Sequence, residues 1–254
     1  MTEARRPLPA GETRTRVASD HALIGPDSHV RAPLPDWGEA ECVVLISPAM
    51  GGGPRAPRFT QYVVHAGTTS AVRTTAAGIE RLIYVLAGEA RVDGGVLPVD
   101  SFLWLPPQSP YKLQVASSAT LLVFDKRYVP LVGVDVPARV SGAMRDAPAE
   151  PFLGDPDAML TTLLPKAAGF DMAVNVLHYQ PGATLPFVET HIMEHGLYMR
   201  SGQGIYRLAD GWYPVQKGDA IWMAAYCPQW FVACGKEPAS YIYYKDVHRF
   251  PLGE

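Results

Sequence analysis

Four residues in the second half of the sequence have side chains of the types and spacing that bind a metal ion. They are Glu189, His191 and His195, which lie close together, and Gln229, which follows further along the chain. In an extended strand residues i and i+2 point to the same face, so Glu189 and His191 are predicted to share a face, and a turn after them could bring in His195. Imidazole and carboxylate groups suit Mn, Fe, Zn or Ni, and an amide oxygen from Gln229 moves the preference towards a hard octahedral ion such as Mn²⁺. Four protein ligands would leave two positions open for a substrate.

The same segment has two other interpretations. From His191 to His195 it fits H-x-x-E-H, a metalloprotease pattern that needs both histidines on one face of a helix. Pro186 precedes the segment, Gly196 follows it, and β-branched residues occur within it, so a long helix is not expected. In the second alternative the histidines and the glutamate face solvent on a strand. The convergence of several ligand types in one short segment disfavours that alternative.

The elements that must position these residues are predicted to be β-strands. Short runs rich in β-branched and aromatic residues recur along the chain, separated by clusters of Gly, Pro, Asp or Ser. The chain of 254 residues contains 23 Gly and 24 Pro, which indicates many turns. Few segments keep a helical period. The runs in the first half are 43–46, 59–64, 82–86, 101–105 and 120–124.

The second half of the chain repeats the first. Tyr84 and Gly88 in RLIYVLAGEARV correspond to Tyr198 and Gly202 in HGLYMRSGQGIY. Two further pairs of blocks recur in the same order, DSFLWLPPQSPY with DAIWMAAYCPQ and LLVFDKRY with YIYYKDVH. A duplicated β-unit explains both the length and the number of turns. The predicted organisation is an N-terminal arm outside the core over residues 1–38, a first β-domain over 39–135, a linker over 136–154 and a second β-domain over 155–254.

The first half lacks the ligand set of the second. When the halves are aligned from Gly88, the four ligand positions become Thr75, Ala77, Arg81 and Tyr111, which do not form a metal site. We therefore expect the first domain to be a structural partner and the second to carry the reaction.

Composition and charge indicate a globular chain that acts on a small molecule. Apolar residues make up 48% of the chain, and 22 Lys and Arg against 25 Asp and Glu give a net charge of −3 without a long basic run. This charge does not favour nucleic acid or an anionic membrane as a partner. The three cysteines form no CxxC pair, and the sequence has no apolar run of the roughly 18 residues that suggest a membrane span. We predict a cytoplasmic protein with reduced thiols.

The motifs of the second half resemble those of the cupin superfamily. The usual cupin segment has the form G-x5-H-x-H-x3,4-E-x6-G, whereas this chain has Glu189 and His191 in the first two ligand positions and His195 in the third. The second cupin motif usually supplies a histidine where this chain has Gln229. The Glu-x-His-x3-His … Gln variant, within ETHIMEHG and followed by YMRSGQGIY and YIYYKD, resembles the (S)-ureidoglycine aminohydrolase family over most of the chain.

This resemblance implies an all-β bicupin fold: two tandem cupin-type β-barrels, each a double-stranded β-helix, with a short N-terminal arm. It also implies a hydrolase that converts (S)-ureidoglycine and water to (S)-ureidoglycolate and ammonia in allantoin and purine catabolism. The expected cofactor is Mn²⁺ or another divalent metal, held by Glu189, His191, His195 and Gln229. The fold class implies a homo-oligomer.

Further site residues follow from the same resemblance. Lys245 is expected to transfer a proton or to contact the substrate carboxylate, because a half-buried lysine can have a shifted pKa; its alternative is a surface lysine paired with Asp246. Tyr206, Tyr241 and Gln229 are expected to contact the substrate. Glu194 is expected either to orient His195 or to be solvated.

Two other classes of function use the same fold. An Fe-dependent cupin dioxygenase would use two histidines and one carboxylate, and a fourth ligand at Gln229 disfavours it. A non-catalytic bicupin that binds a small molecule would have no metal requirement.

Overall fold

β-Strands make up most of the computed structural model, which describes residues 12–50 and 56–249. Helical structure in these residues is limited to single 3₁₀ turns at Pro26–Ser28, Pro35–Trp37, Pro48–Met50 and Met144–Asp146. The first strands are β1 (Arg16–Val17), β2 (His21–Ile24), β3 (Ala32–Pro33), β4 (Glu41–Ile46), β5 (Phe59–Ala66), β6 (Thr69–Thr74), β7 (Ile79–Gly88), β8 (Ala90–Val92), β9 (Gly95–Leu97), β10 (Ser101–Leu105), β11 (Pro110–Val115) and β12 (Ala119–Arg127). The later strands are β13 (Val140–Ala143), β14 (Ala149–Phe152), β15 (Asp155–Thr162), β16 (Met172–Tyr179), β17 (His195–Ser201), β18 (Gln203–Leu208), β19 (Gly211–Gln216), β20 (Ala220–Met223), β21 (Gln229–Cys234) and β22 (Ala239–Asp246). The described part of the chain has no helix with the length and hydropathy of a membrane span.

The all-β prediction is confirmed, and the five runs named above each lie within a strand. These runs are rich in β-branched and aromatic residues, and most of their side chains are buried, because strands in a barrel wall pack one or both faces against apolar neighbours.

Each half of the chain forms one larger and one smaller antiparallel sheet. In the first half the strand order is β13-β10-β7-β12-β5-β4-β3 in the larger sheet and β6-β11-β8-β9 in the smaller. In the second half it is β1-β2-β20-β17-β22-β16-β15-β14 and β19-β18-β21. The repeated sequence blocks occupy matching strands, since β7, β10 and β12 in the first half correspond to β17, β20 and β22 in the second.

Three apolar cores stabilise this arrangement. One lies inside each half, and the third lies between the two larger sheets, which pack face to face. In the third core the ring of Phe59 from the first half stacks on Tyr244 from the second, with 3.9 Å between ring centroids. Trp104 and Trp222, which the repeat aligns, are both buried there. The two halves therefore share one continuous core.

The halves also exchange edge strands. β2 precedes the first half in sequence but pairs with β20 of the second, while β13 precedes the second half but pairs with β10 of the first. The prediction that the arm lies outside the core is therefore wrong for His21–Ile24, whose four residues are buried. The physical reason is that β20 would otherwise present an unpaired apolar edge. Residues 1–11 of the predicted arm lie outside the described residues.

An ion pair fastens the arm to the second half. The guanidinium of Arg14 donates to both carboxylate oxygens of Asp219, over 2.7 Å and 2.6 Å, and Asp219 is fully buried. Such a bidentate contact is geometrically specific as well as charge-assisted. The arm is thus held by backbone pairing and by one buried carboxylate.

Candidate metal centre and substrate cavity

A cavity of about 240 Å³ opens inside the second half of the chain. All the site residues predicted from the sequence line it, namely Glu189, His191, His195, Tyr206, Gln229, Tyr241 and Lys245. The rest of the wall is mostly apolar and includes Leu177, Leu185, Leu197 and Phe187. Polar ligand-type groups thus converge in an otherwise apolar cavity, which is the usual composition of a small-molecule site.

Two different backbone arrangements bring the predicted ligands together. Glu189 and Gln229 are joined by a single antiparallel bridge, in which each backbone N–H donates to the other's carbonyl over 2.8 and 2.9 Å. His195 begins β17 and lies between Met223 and Lys245 on the neighbouring strands. The extended strand expected over Glu189 and His191 is reduced to that one bridge. The chain bends after His191, whose carbonyl accepts a hydrogen bond from Tyr226.

The two imidazoles direct ring nitrogens into this site, and one of these nitrogens, His195 Nε2, is unsatisfied. His191 Nδ1 lies 3.1 Å from the carbonyl oxygen of Met193, so Nδ1 carries the proton and Nε2 is left as an acceptor. His195 is buried, and its Nε2 has no hydrogen-bond partner. The ring centroids of His191 and His195 are 4.3 Å apart. A buried nitrogen without a partner is costly, and a metal ion would satisfy it.

Burial also keeps these imidazoles in the form that binds metal. The pKa of His195 lies well below its usual value because of burial, with the nearby His191 and Lys245 acting in the same direction. Burial likewise lowers the pKa of His191. Both rings are therefore neutral at pH 7, and a neutral imidazole is the metal ligand.

The side-chain amide of Gln229 lies between the imidazoles and a tyrosine. Its Nε2 is 3.1 Å from His191 Nε2 and 3.2 Å from His195 Nδ1, and the Tyr206 hydroxyl donates to its Oε1 over 3.2 Å. A half-turn of the amide about its last bond would place the oxygen against the imidazoles and the NH₂ group against the Tyr206 oxygen. Gln229 can therefore offer the oxygen that a hard cation prefers without losing its tyrosine partner.

Glu189 lines the same cavity as the imidazoles. Burial raises the pKa of its carboxyl group, and the charge of Lys245 opposes that change. The ligand atoms of Glu189, His191 and His195 do not all lie within 4.8 Å of one another. Among the described residues, one group of three possible metal ligands meets that distance, and it consists of Asp20, His21 and Cys227.

That second group is already bonded internally. His21 contacts the Asp20 carboxylate through Nδ1 over 2.8 Å and the Tyr213 hydroxyl through Nε2 over 2.9 Å. Both imidazole nitrogens are thus occupied, and His21 has no lone pair directed at an ion. The unsatisfied nitrogen of His195 favours the cavity as the metal centre.

Lys245 is half-buried in the cavity wall. Burial lowers the pKa of its ammonium group, while the charge of Glu189 acts in the opposite direction. The alternative of a surface lysine paired with Asp246 does not describe this geometry, because the Asp246 carboxylate pairs with Arg58 at 2.8 Å. A lysine with a lowered pKa in an enclosed site is suited to proton transfer.

The two predicted tyrosines belong to a larger hydroxyl network. Tyr206 and Tyr241 are both buried, and the Tyr241 hydroxyl lies 2.9 Å from that of Tyr179. Tyr179, the last residue of β16, was not predicted from the sequence. Phe152 and Leu153 also line the cavity and come from the predicted linker. These apolar residues partly enclose the site.

Glu194 is buried rather than solvated. Its carboxylate accepts hydrogen bonds from the backbone N–H and the Nε of Arg58, over 2.7 and 3.3 Å, and from the Tyr244 hydroxyl over 3.3 Å. Burial raises its pKa to about 7, with the Arg58 contacts acting in the opposite direction. The structure gives it no direct bond to the His195 ring.

The interior of the first half contains an arginine at the position that matches His195. Arg81 is 2% exposed, and its guanidinium donates to Asp125 over 2.7 Å and to the Tyr111 hydroxyl over 3.2 Å. Arg81 and Tyr111 occupy the positions aligned with His195 and Gln229. The first barrel therefore has a fixed side-chain cation where the second has the imidazole of His195 and the amide of Gln229.

The chain is similar to known proteins over nearly all of its length. Residues 175–244 match the Cupin_2 family, described as a cupin domain. A protein of Oryza sativa subsp. japonica named "Probable (S)-ureidoglycine aminohydrolase" is 41% identical over 95% of this chain and 78% of its own. The (S)-ureidoglycine aminohydrolase of Arabidopsis thaliana is 41% identical over 95% of this chain and 80% of its own.

Solved structures have the same architecture. Protein Ylba from E. coli is 32% identical and superposes with a TM-score of 0.79, covering 94% of this chain and 96% of its own. A Pseudomonas aeruginosa protein described as glyoxylate-induced is 27% identical, with a TM-score of 0.85 over 97% of this chain and 96% of its own. The predicted cupin fold is thereby confirmed.

Proposed function

Because the chain belongs to the (S)-ureidoglycine aminohydrolase family, we propose that it is a metal-dependent hydrolase that converts (S)-ureidoglycine and water to (S)-ureidoglycolate and ammonia. The observation that carries this proposal is the cavity of the second half, where four ligand-type side chains, a lysine and two tyrosines converge. The reaction breaks the bond between carbon and the α-amine and forms a bond between the same carbon and a water oxygen. Allantoin and purine catabolism would be its metabolic setting.

We assign Glu189, His191, His195 and Gln229 as the residues that would hold the metal. The unsatisfied Nε2 of His195 and the lone pair of His191 Nε2 support this assignment. Two imidazoles combined with carboxylate and amide oxygens suit Mn²⁺, which tolerates mixed nitrogen and oxygen ligands. When bound, such an ion supplies Lewis-acid polarisation and a fixed point that orients a chelating substrate.

The remaining polar residues match the groups of the substrate. (S)-Ureidoglycine carries a carboxylate, an α-amine and a ureido group on one carbon. Lys245 provides a positive charge for the carboxylate, and the hydroxyls of Tyr206 and Tyr241 can hydrogen-bond the ureido or carboxylate oxygens. The apolar wall lowers the local dielectric constant, which strengthens these polar contacts.

Lys245 is also the proposed proton carrier. The ureido nitrogen lone pair can help to expel the amine, which must gain a proton as it leaves, and the attacking water must lose one. The lowered pKa of Lys245 makes its ammonium group a better proton donor, and the amine that is left can accept a proton from the attacking water. The two proton transfers balance, so the lysine ends the cycle in its starting state.

The test is ammonia release from freshly generated (S)-ureidoglycine. Metal-stripped protein is assayed with and without added Mn²⁺ against the spontaneous decay of the substrate, and stimulation by protein plus metal is expected. A rate equal to spontaneous decay with Mn²⁺, Fe²⁺ and Zn²⁺ each added would refute the proposal. Oxygen consumption in the same assay would indicate a dioxygenase instead.

Site variants separate the metal role from the proton role. Glu189→Ala and His195→Ala are expected to lose bound metal, whereas Lys245→Ala is expected to keep the metal and lose turnover. The matched control is Lys217→Ala, which removes an exposed lysine outside the cavity. Full activity of Lys245→Ala would exclude Lys245 from the mechanism.

We also propose that the protein is a homo-oligomer in the cytoplasm. Self-association is suggested by the fold class and by exposed apolar side chains near the cavity, such as Phe187 at 57% and Leu153 at 64% exposure. Light scattering coupled to gel filtration tests this part, and a monomer at micromolar concentration would contradict it.

A further inference from the structure

A side chain from the first half contacts the residue directly before His195, a proposed metal ligand. Arg58, directly before β5, contacts two buried carboxylates of the second half. Its backbone N–H and its Nε donate to Glu194 Oε2 over 2.7 and 3.3 Å, and its terminal nitrogen lies 2.8 Å from Asp246 Oδ2. One guanidinium thus bridges two carboxylates that belong to different strand ends.

Both carboxylates adjoin residues of the cavity. Glu194 lies between His191 and His195 in sequence, and Asp246 directly follows Lys245. The backbone N–H of Glu194 donates to Asp246 Oδ1 over 2.6 Å, which ties the turn before His195 to the end of β22. The position of both histidines therefore depends on how this carboxylate pair is held.

The carboxylate pair needs a positive partner. Glu194 is 2% exposed and Asp246 is 3% exposed, and a carboxylate buried without a positive partner is strongly destabilising. The first half shows the same requirement at the matching position, where Glu80 precedes Arg81 as Glu194 precedes His195. There the ammonium of Lys126, from the same half, lies 3.3 Å from Glu80. In the second half the positive charge comes from the other half of the chain.

We propose that Arg58 is a positioning residue that holds the turn carrying His191 and His195 in its metal-binding shape, so that the first half completes the site of the second. Arg58 does not line the cavity, and it acts through Glu194 and Asp246. The part of this inference that concerns metal affinity rests on the proposed function, whereas the part that concerns the order of the turn does not.

The test compares Arg58→Met with Arg200→Met. Arg200 also joins the halves, because it bonds Asp100 of the first half from the opposite end of β17, away from the metal ligands. Hydrogen–deuterium exchange on metal-free protein measures the order of residues 190–196, and calorimetric titration with Mn²⁺ measures affinity. Arg58→Met is expected to speed amide exchange in this segment and to weaken Mn²⁺ binding about 10–100-fold, as for other residues that orient metal ligands.

The controls decide between positioning and general loosening of the two halves. Arg200→Met is expected to change neither quantity, and Arg58→Lys is expected to recover part of the affinity, because an ammonium can neutralise the carboxylates but cannot bridge them as a guanidinium does. Wild-type exchange rates in Arg58→Met would overturn the proposal, as would equal effects of the two methionine variants. A wild type that binds no metal would refute the proposed function, and the exchange comparison would still decide the role of Arg58.

Discussion

Gly196 allows the strand that begins with His195 to approach an aromatic ring that lies between the halves. A Cβ atom added at Gly196 would lie 2.2 Å from both Cε1 and Cζ of Tyr244, whereas ordinary contacts begin near 3.4 Å. The ring would have to retreat by more than about 1 Å, but Phe59 stacks on it at 3.9 Å and Phe124 lies at 5.2 Å. Gly196→Ala should therefore overpack this core.

The expected cost follows from two contributions. Overpacking of a rigid core costs about 1–3 kcal/mol, and displacement of the Tyr244 hydroxyl from Glu194 loses a hydrogen bond worth about 0.5–1.5 kcal/mol. Gly196→Ala is thus expected to lower the free energy of unfolding by about 2–4 kcal/mol. Urea denaturation followed by tryptophan fluorescence measures this change. Gly67→Ala is the matched control, since a Cβ atom there meets nothing within 4 Å.

A double-mutant cycle identifies the cause. In a Tyr244→Leu background the ring is absent, so Gly196→Ala is expected to cost less than about 1 kcal/mol, because interacting residues give non-additive effects. Equal costs of Gly196→Ala in both backgrounds would show that the ring is not responsible. Stability equal to that of Gly67→Ala would refute the packing argument as a whole.

Three further predictions concern other parts of the chain. Asp219→Asn is expected to weaken the contact with Arg14 and to speed trypsin cleavage of the arm, with an unchanged cleavage rate as the contrary result. Burial lowers the pKa of His178, so the native protein binds fewer protons than the unfolded chain and loses stability as the pH falls below the unfolded pKa of about 6.5. His178→Gln should therefore lose less of its free energy of unfolding than the wild type between pH 7.5 and pH 5, as measured by urea denaturation, and parallel pH profiles would contradict this. Arg81→Met leaves Asp125 without its buried partner and is expected to cost about 3 kcal/mol in the same denaturation assay while calorimetric Mn²⁺ affinity is unchanged.

Much of the fold could be predicted from the sequence because its strands are encoded locally. Runs such as 59–64 and 120–124 combine β-branched and aromatic residues between turn-forming residues, and these properties do not depend on distant contacts. The sequence repeat pairs the blocks of the two halves, and it therefore matches β7 with β17 from the sequence alone. The burial of His21–Ile24 escaped prediction because it depends on the edge of β20, about 200 residues away in sequence.

The candidate site likewise combines residues that local sequence indicates with contacts between residues that are distant in sequence. Glu189, His191 and His195 were predicted because they are close in sequence, and Gln229 because it follows a repeated motif. The contact of Arg58 with Glu194 joins residues separated by 136 positions, and no local pattern indicates it. The contact between the Tyr179 and Tyr241 hydroxyls was not predicted for a similar reason, since the two residues lie on different strands.

The exchange of edge strands determines where this chain can be cut. A fragment of residues 155–254 would contain all four proposed metal ligands, yet it would lack β2 and leave the backbone of β20 open to pairing with other molecules. The second β-domain therefore depends on the arm, and its removal from the rest of the chain would favour aggregation. Fragment complementation offers the alternative: a separate peptide that covers residues 12–24 would supply the missing strand and the Arg14 anchor together.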